Sequence, residues 1–237
     1  MYNVLINLKR KSKESTMEVS NSELNLDFTK KVVIETLIKK WIEFPIEEFK
    51  MIHLEGGRET EHITSIISYN PGSINQNFNQ VQGEEIFVLS GNYINEFGEH
   101  PAGTYIRIPP GSIYQSFPQT GCTLFIKINQ FTKGDNQKII IKTNEQKWLQ
   151  GHGNLKVMPL HQFSTEGAAL VKWPANEKFV RHSHFGGEEI LVLSGKFQDE
   201  HGSYPKLTWI RSNHLSVHHP WVEEETIILV KTGHLPT

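Results

Sequence analysis

The sequence has almost no cysteine, no strong excess of charge of either sign and no long apolar run. Its single cysteine, Cys122, cannot form an internal disulfide or a cysteine-based zinc site, which favours a reducing compartment. Lys plus Arg number 24 and Asp plus Glu number 26, so the net charge of −2 offers no general attraction to nucleic acids or anionic membranes. No stretch approaches the roughly 18 apolar residues of a membrane-spanning helix, and the first residues run from apolar to basic, the reverse of a signal peptide. We therefore expect a cytoplasmic protein that binds neither nucleic acids nor membranes.

What the sequence does contain is a long internal repeat. Residues 83–91, Gly-Glu-Glu-Ile-Phe-Val-Leu-Ser-Gly, recur at residues 187–195 as Gly-Glu-Glu-Ile-Leu-Val-Leu-Ser-Gly, an offset of 104. At this offset, residues 83–107 and 187–211 share 14 identities in 25 positions, where unrelated sequences would share about one or two. The chain is therefore a duplication of a domain-sized unit, which excludes a solenoid of short repeats.

Each copy contains short segments rich in β-branched and aromatic residues between turn residues. In the first copy these are Ile86 to Leu89, Tyr105 to Ile108 and Thr123 to Ile128, and they predict strands. Each copy is therefore expected to be an all-β sandwich or barrel. Residues 18–50 are compatible with either a helix or a strand.

The repeat also predicts the domain organisation. We expect a partly disordered N-terminal extension at residues 1–50, a first domain at 51–131, a connecting segment at 132–154 and a second domain at 155–237. The connecting segment is polar around one strand-like run, Ile139-Ile140-Ile141.

Four charged residues recur at equivalent positions in the two copies. Glu85 and Glu189 follow the glutamates of the repeat and should face outwards, where each would be solvated or hydrogen-bonded. Arg107 and Arg211 could orient a ligand, but a repeated structural ion pair is the favoured interpretation.

His182, His184 and Glu188 form a candidate metal-binding motif in the second copy. Residues i and i+2 of a strand project from the same face, so both histidines can point into the mouth of a barrel. Gly186 and Gly187 then permit a tight turn that brings Glu188, at the start of the next strand, close to the histidines. Two imidazole nitrogens and a carboxylate oxygen suit Zn²⁺, Fe²⁺, Mn²⁺ or Ni²⁺.

This motif resembles the first signature of the cupins, His-X-His-X(3,4)-Glu-X(6)-Gly, with Gly195 in the last place. The second cupin signature, Gly-X(5)-Pro-X-Gly-X(2)-His, is clearest in the first copy as Gly103, Pro109 and Gly111, with Tyr114 in the histidine slot. Shifted by 104 residues, these slots hold Leu207, Asn213, Leu215 and His218. The resemblance thus implies that the second copy keeps the ligand without the glycine and proline framework.

The repeat alignment favours His218 over its neighbour His219 as the fourth ligand, because adjacent residues of a strand project from opposite faces. In the first copy the four ligand positions hold Phe78, Gln80, Glu84 and Tyr114. Three of the four expected ligands are missing there, so we expect the first site to be metal-free. Glu84 is expected to form a hydrogen bond with Gln80 or Tyr114 instead.

More specifically, residues 182–195 and 208–211 are similar to the cupin of ChrR-type anti-sigma factors, and the similarity covers roughly residues 50–235. The resemblance implies an all-β bicupin, with two double-stranded β-helix (jelly-roll) barrels related by duplication. It also implies one divalent metal per chain, with zinc favoured and iron, manganese or nickel as alternatives. The implied ligands are His182, His184, Glu188 and His218.

One feature of ChrR-type proteins has no counterpart in residues 1–50. Those proteins bind a sigma factor through a separate helical domain that carries cysteine and histidine, and residues 1–50 contain neither. We therefore do not expect direct binding to a sigma factor. A homodimer is compatible with the sequence.

Two functions are consistent with these patterns. The first is a cytoplasmic ChrR-like metal cupin that binds a small molecule or acts in a stress response. The second is an iron-dependent dioxygenase acting on a small carbonyl or phenolic substrate, since the resemblance includes small cupin dioxygenases. A structural dimerisation barrel with a vestigial site is a weaker third hypothesis. The sequence identifies neither the ligand nor a catalytic residue.

Overall fold

The chain folds into two all-β units. A computed structural model describes residues 24–45, 48–57, 62–73, 76–80, 83–117 and 120–237, with the side chains of residues 76–80 excepted. Over this part of the chain, the first unit contains residues 24–26 and 40–142, and the second contains residues 27–39 and 143–237. No helix among the described residues is long and apolar enough to cross a membrane.

The first unit is built on an antiparallel sheet. Its strands are β2 (Ile42–Phe44), β3 (Phe49–Gly56), β4 (Ile63–Tyr69), β5 (Gln76–Gln80), β6 (Glu84–Asn95), β7 (Gly98–Pro101), β8 (Thr104–Ile108), β9 (Ser112–Ser116), β10 (Cys122–Ile128) and β11 (Ile139–Lys142). The main sheet has the order β11-β8-β6-β10-β4-β3-β2, and β5, β7 and β9 form a smaller layer that joins it through β6.

The second unit repeats this plan. Its strands are β1 (Val32–Glu35), β12 (Leu149–Gln150), β13 (Lys156–Phe163), β14 (Glu166–Trp173), β15 (His182–Ser183), β16 (Glu188–Ser194), β17 (Lys196–Asp199), β18 (Gly202–Pro205), β19 (Thr208–Ser212), β20 (Val217–His218) and β21 (Thr226–Thr232). Its main sheet has the order β1-β19-β16-β21-β14-β13-β12, and β15 with β20 and β17 with β18 form two short ribbons. Short 3-10 helices lie at Thr36–Ile38 and Thr143–Glu145. The predicted all-β fold of two jelly-roll barrels related by duplication is confirmed.

Strand alternation creates the interior of each barrel. In β6, the buried side chains of Ile86 and Val88 belong to the apolar cluster that fills the first unit. The equivalent residues of β16, Ile190 and Val192, belong to the cluster that fills the second unit. Alternate side chains of a strand face opposite sides, so the glutamate that begins each strand points to the same side as these apolar residues. The first residue of each strand therefore faces the barrel interior.

Each unit contains one strand from the segment that precedes the main part of the other unit in sequence. Strand β1 precedes the first unit but pairs with β19 of the second, with Val32 opposite Arg211. Strand β11 precedes the main part of the second unit but pairs with β8 of the first, with Ile139 opposite Arg107. The two arrangements are equivalent, because Arg107 and Arg211 are 104 residues apart.

The predicted domain boundaries differ from the observed division at these exchanged strands. Residues 27–39 fall in the predicted extension and residues 139–142 in the predicted connecting segment, yet each group is a sheet edge of a unit. The ambiguous region of residues 18–50 contains strands β1 and β2. Residues 1–23 and 46–47 of the predicted extension lie outside the described residues.

Of the two roles predicted for Glu85 and Glu189, the structure shows the hydrogen-bonded one and not the solvated one. Both residues are buried, with 7% and 4% of their surface exposed. Glu85 accepts a 2.7 Å bond from Arg107, which also binds Asp135 at 2.6 Å, so the predicted ion pair is present in the first copy. A buried carboxylate requires such partners because the loss of its hydration is otherwise very costly.

The second copy retains the turns of the second cupin signature without its glycines. Gly103 and Gly111 have positive φ angles of 85° and 83°, and Leu207 and Leu215 at the equivalent positions have 61° and 56°. A β-carbon in this left-handed region costs roughly 1–2 kcal/mol. The turn that leads to His218 is therefore kept in shape by its surroundings, at some cost in backbone strain.

This strain can be measured at Leu215, whose side chain is 52% exposed and contributes little burial. We expect Leu215→Gly to be more stable than Leu215→Ala by about 1 kcal/mol, because both lose the side chain and only glycine relieves the strain. Urea unfolding of the two variants gives the difference directly. An alanine variant as stable as the glycine variant would show that the turn is not strained.

Candidate metal centre

The four predicted ligand residues come together in the second unit. Strands β15 and β20 pair so that His182 lies directly opposite His218. The chain then turns at Gly186 and Gly187, which both have φ of 68°, and enters β16 at Glu188. A β-carbon on either glycine would come within 2.7 Å of other atoms, among them the backbone of Gly233 and Ser212, so this turn requires glycine.

The ligand atoms of His182, His184, Glu188 and His218 all lie within 4.8 Å of one another. The Nε2 atoms of His182 and His218 are 3.2 Å apart. One oxygen of Glu188 lies 3.2 Å from Nε2 of His184, and the other lies 3.5 Å from Nε2 of His218. All three imidazoles thus present Nε2 to a common point beside the carboxylate.

The electrostatics keep the carboxylate ionised and one imidazole neutral. Burial alone would raise the pKa of Glu188, but the neighbouring histidines, His184 first, hold it below its ordinary value. Burial lowers the pKa of His182, whose Nδ1 lies 2.8 Å from the carbonyl oxygen of Val180. Burial also opposes the charge on His184, but the close approach of the Glu188 carboxylate raises the pKa of His184 overall.

This donor set fits a divalent transition metal. Around a tetrahedral ion with bonds of about 2.0–2.1 Å, neighbouring ligand atoms lie about 3.3 Å apart, close to the three separations above. Nε2 of His184 is buried without a well-oriented hydrogen bond, although an oxygen of Glu188 is 3.2 Å away. Donation by the Nδ1–H group of His182 to the carbonyl oxygen of Val180 leaves the Nε2 lone pair of His182 available to bind a cation. Three nitrogens and one carboxylate oxygen suit zinc and also ferrous iron, manganese and nickel.

The structure adds residues around the centre that the sequence did not reveal. Nδ1 of His218 faces the carboxylate of Asp199, whose Oδ2 is 3.8 Å away. Asp199 in turn binds Lys31 at 2.8 Å and the hydroxyl of Tyr204 at 2.7 Å. Burial would raise the pKa of Asp199, but His218, Lys31 and Tyr204 together hold it below its ordinary value. Two signals were available beforehand: the similarity of the turn at residues 199–202 to ChrR-type cupins, and the repeat, which aligns Asp199 with Asn95.

The equivalent site in the first unit is organised differently. Phe78 lies opposite Tyr114 in the β5–β9 pair, as His182 lies opposite His218, while Gln80 occupies the position of His184 and its side chain is outside the description. Of the two partners considered for Glu84, the structure shows Tyr114, whose hydroxyl donates to the Glu84 carboxyl group. Tyr114 also lies 3.3 Å from the hydroxyl of Tyr93. Burial raises the pKa of Glu84, against the opposing effect of the Tyr114 hydrogen bond, whereas the pKa of Glu188 at the equivalent position is lowered.

Several other histidine, cysteine and aromatic residues lie outside this cluster. His219 is exposed and its backbone N–H binds Glu200. Trp209 is completely buried and donates to Glu189, whereas the ring of Phe179 packs against His182 at 4.9 Å. Cys122 is buried, and burial raises its pKa to about 12, which makes a reactive thiolate unfavourable.

Comparison with known proteins gives a family match over most of the chain. A family model described as the ChrR cupin-like domain matches residues 29–132 and again residues 136–236. The predicted resemblance to a two-copy cupin of the ChrR type is confirmed by these two matches. None of the curated proteins matches the sequence significantly.

Several solved structures share the fold at low sequence identity. A candidate dioxygenase from Nostoc punctiforme superposes with a TM-score of 0.71 at 13% identity, over 86% of this chain and 82% of that one. YlbA from E. coli gives 0.68 at 14% identity over 92% and 97%. The oxalate decarboxylase of Lactobacillus farciminis gives 0.63 at 12% identity over 86% of each chain. At these identities the similarity establishes the bicupin fold alone.

The adjacent pair His218 and His219 offers a matched test of the fourth ligand. We expect His218→Ala to weaken zinc binding at least about 100-fold, because it removes a buried ligand. We expect His219→Ala to bind zinc like the unaltered protein, because that side chain is exposed. Competition with a chromophoric chelator measures both affinities. Weakening by His219→Ala alone would assign the ligand to the other histidine.

The raised pKa of Glu84 predicts a pH-dependent stability of the first unit. Because the folded pKa lies above the unfolded value, the stabilisation by Glu84 is complete below the unfolded pKa and is lost as pH rises through the folded pKa. Glu84→Gln removes this titration while keeping an acceptor for Tyr114. The free energy of unfolding of Glu84→Gln, relative to that of the unaltered protein, should therefore increase with pH. The increase is at most about 1.4 kcal/mol per pH unit. Urea unfolding between pH 4 and 8 measures the difference, and a pH-independent difference would contradict a raised pKa of Glu84.

Proposed function

The chain belongs to the ChrR cupin-like domain family, and from this premise we propose that its second barrel is a divalent-metal module that binds a small molecule. The proposed ligands are His182, His184, Glu188 and His218. The first barrel then acts as a metal-free scaffold of the same fold. Zinc is the favoured metal because ChrR-type cupins bind it.

The observation that carries this proposal is the convergence of four ligand atoms within 4.8 Å in one of two duplicated barrels. The cluster joins two strand pairs and one turn, and its carboxylate is buried among imidazoles. The Nε2 atoms of His182 and His218 face each other. Without a cation, these two nitrogens would compete for one proton. A bound metal satisfies both nitrogens and the charge of Glu188 together.

The partial exposure of the site supports binding of a further molecule. The side chain of His184 is 29% exposed, whereas those of Glu188 and His218 are 8% and 10% exposed. The imidazole of His184 is therefore partly open to solvent although its Nε2 atom is buried, whereas Glu188 and His218 are enclosed by the barrel. A metal held here would act as a Lewis acid toward an oxygen donor of the small molecule. A stress-response role is consistent with family membership.

The same partial exposure favours one alternative, an iron-dependent dioxygenase acting on a small carbonyl or phenolic compound. Such an enzyme needs coordination positions beyond those of the four protein ligands. A closed tetrahedral zinc site would exclude this alternative. The identity of the metal therefore decides between the two functions.

Metal content tests the proposal directly. We expect protein purified under anaerobic conditions to contain about one divalent metal per chain by elemental analysis, and His184→Ala to lose it, because four ligands form one site. Arg181→Ala, next to the site on the outward face, is the matched control and should keep the metal.

The outcomes are distinct. No bound metal, two metals per chain, or retention by His184→Ala would each contradict the one-site proposal. Iron accompanied by oxygen consumption with a carbonyl or phenolic compound would favour the dioxygenase, whereas zinc without oxygen consumption would favour the binding module.

A further inference from the structure

We propose that Asp199, Lys31 and Tyr204 form a positioning network that orients the metal ligand His218. This inference rests on the metal site proposed above. Nothing in the cupin signatures assigns these three residues, and Lys31 lies far from the metal motifs in sequence.

The contacts form a continuous chain that ends at the ligand. Lys31 Nζ binds Asp199 Oδ2 at 2.8 Å and the hydroxyl of Tyr204 at 2.9 Å. The same hydroxyl donates to Asp199 Oδ1 at 2.7 Å, so both carboxylate oxygens are held. Oδ2 faces Nδ1 of His218 at 3.8 Å, within range of an ion pair and longer than a direct hydrogen bond.

The position of Asp199 accounts for the orientation of His218. The carboxylate side chain is 1% exposed, so its charge is poorly screened by water. An anion beside Nδ1 favours a proton on that nitrogen, which leaves the lone pair on Nε2, the atom that faces the metal cluster. Carboxylates behind ligating histidines fix their tautomer and increase their basicity in this way.

The duplicated barrel supplies an internal comparison. At the offset of 104, Asp199 corresponds to Asn95 and Tyr204 to His100, and these two residues bind each other at 2.8 Å. Lys31 corresponds to Lys138, since each lysine directly precedes the exchanged strand that pairs with Arg211 or Arg107. The second barrel, which has the histidine cluster, therefore has the carboxylate of Asp199. The first barrel, where Tyr114 replaces His218, has the neutral amide of Asn95 at the equivalent position.

The N-terminal segment brings Lys31 to this network. Strand β1 pairs with β19, and Arg211 in β19 donates to the carbonyl oxygen of Asp27 at 2.9 Å. The segment that begins at residue 27 is thereby attached to the second unit on both sides of Lys31. The metal centre accordingly depends on a residue more than 150 positions away from the ligand that it helps to orient.

The test compares metal affinity in the full-length chain after the metal has been removed. The variants are Asp199→Asn, which reproduces the residue of the first barrel, Lys31→Met and the conservative Lys31→Arg. The matched controls are Glu200→Gln and Lys30→Met, which remove the same charges at adjacent exposed positions. Zn²⁺ affinity is measured by chelator competition, and the Co²⁺ absorption spectrum reports the geometry of the ligands.

We expect Asp199→Asn to weaken Zn²⁺ binding about 10- to 100-fold and to change the Co²⁺ spectrum while still binding one metal. Lys31→Met should weaken binding by a smaller factor, and Lys31→Arg should restore it. Both controls should match the unaltered protein. A purely structural role would change the unfolding of the metal-free protein without changing the Co²⁺ spectrum.

Unaltered affinity and spectrum in Asp199→Asn would overturn the positioning network while leaving the metal site intact. Absence of metal in the unaltered protein would instead overturn the metal site itself. If metal-free Asp199→Asn fails to fold, Lys31→Met decides the matter, because Lys31 is 25% exposed and its loss leaves no buried cavity. Binding by Lys31→Met identical to that of the unaltered protein would then contradict the network.

Discussion

A carboxylate is buried at the start of the same strand in both barrels, and its charge must be compensated or removed. In the second barrel, histidines surround Glu188 and hold its pKa below the ordinary value. In the first barrel, burial raises the pKa of Glu84, and Tyr114 donates to the carboxyl group. The two copies therefore show two physical responses to one problem, ionic compensation and a pKa shifted towards the neutral form. The remaining features of each site follow from the solution adopted.

The second barrel meets further requirements because it keeps the charge. The Gly186-Gly187 turn brings Glu188 against the histidines, and the pairing of β15 with β20 brings His218 opposite His182. The turns before β19 and before His218 lack the glycines of the signature but retain the left-handed backbone, at Leu207 and Leu215 respectively. Strained backbone that persists in this way is found where surrounding structure holds a functional residue in place.

Buried charge also explains the other repeated polar residues. The outer face of each central strand carries a glutamate, Glu85 or Glu189, that is buried and hydrogen-bonded. Strand alternation correctly separates these residues from Glu84 and Glu188, yet it does not say whether the outer face meets water. In the second unit, Lys31 and Asp199 extend the same pattern of paired charges to the neighbourhood of the metal cluster.

The sequence by itself determined the duplication, the all-β class and most of the candidate metal cluster. Those features are encoded locally, because His182, His184 and Glu188 lie within seven consecutive residues, and the repeat aligned His218 with Tyr114. Only the tertiary structure decided which unit each flanking strand joins, that Glu85 and Glu189 are buried, and that Lys31 meets Asp199. The last contact joins residues 168 positions apart across an exchanged strand. Periodicity describes which way a side chain faces within its own strand, whereas such contacts depend on how distant strands pair, which no local pattern contains.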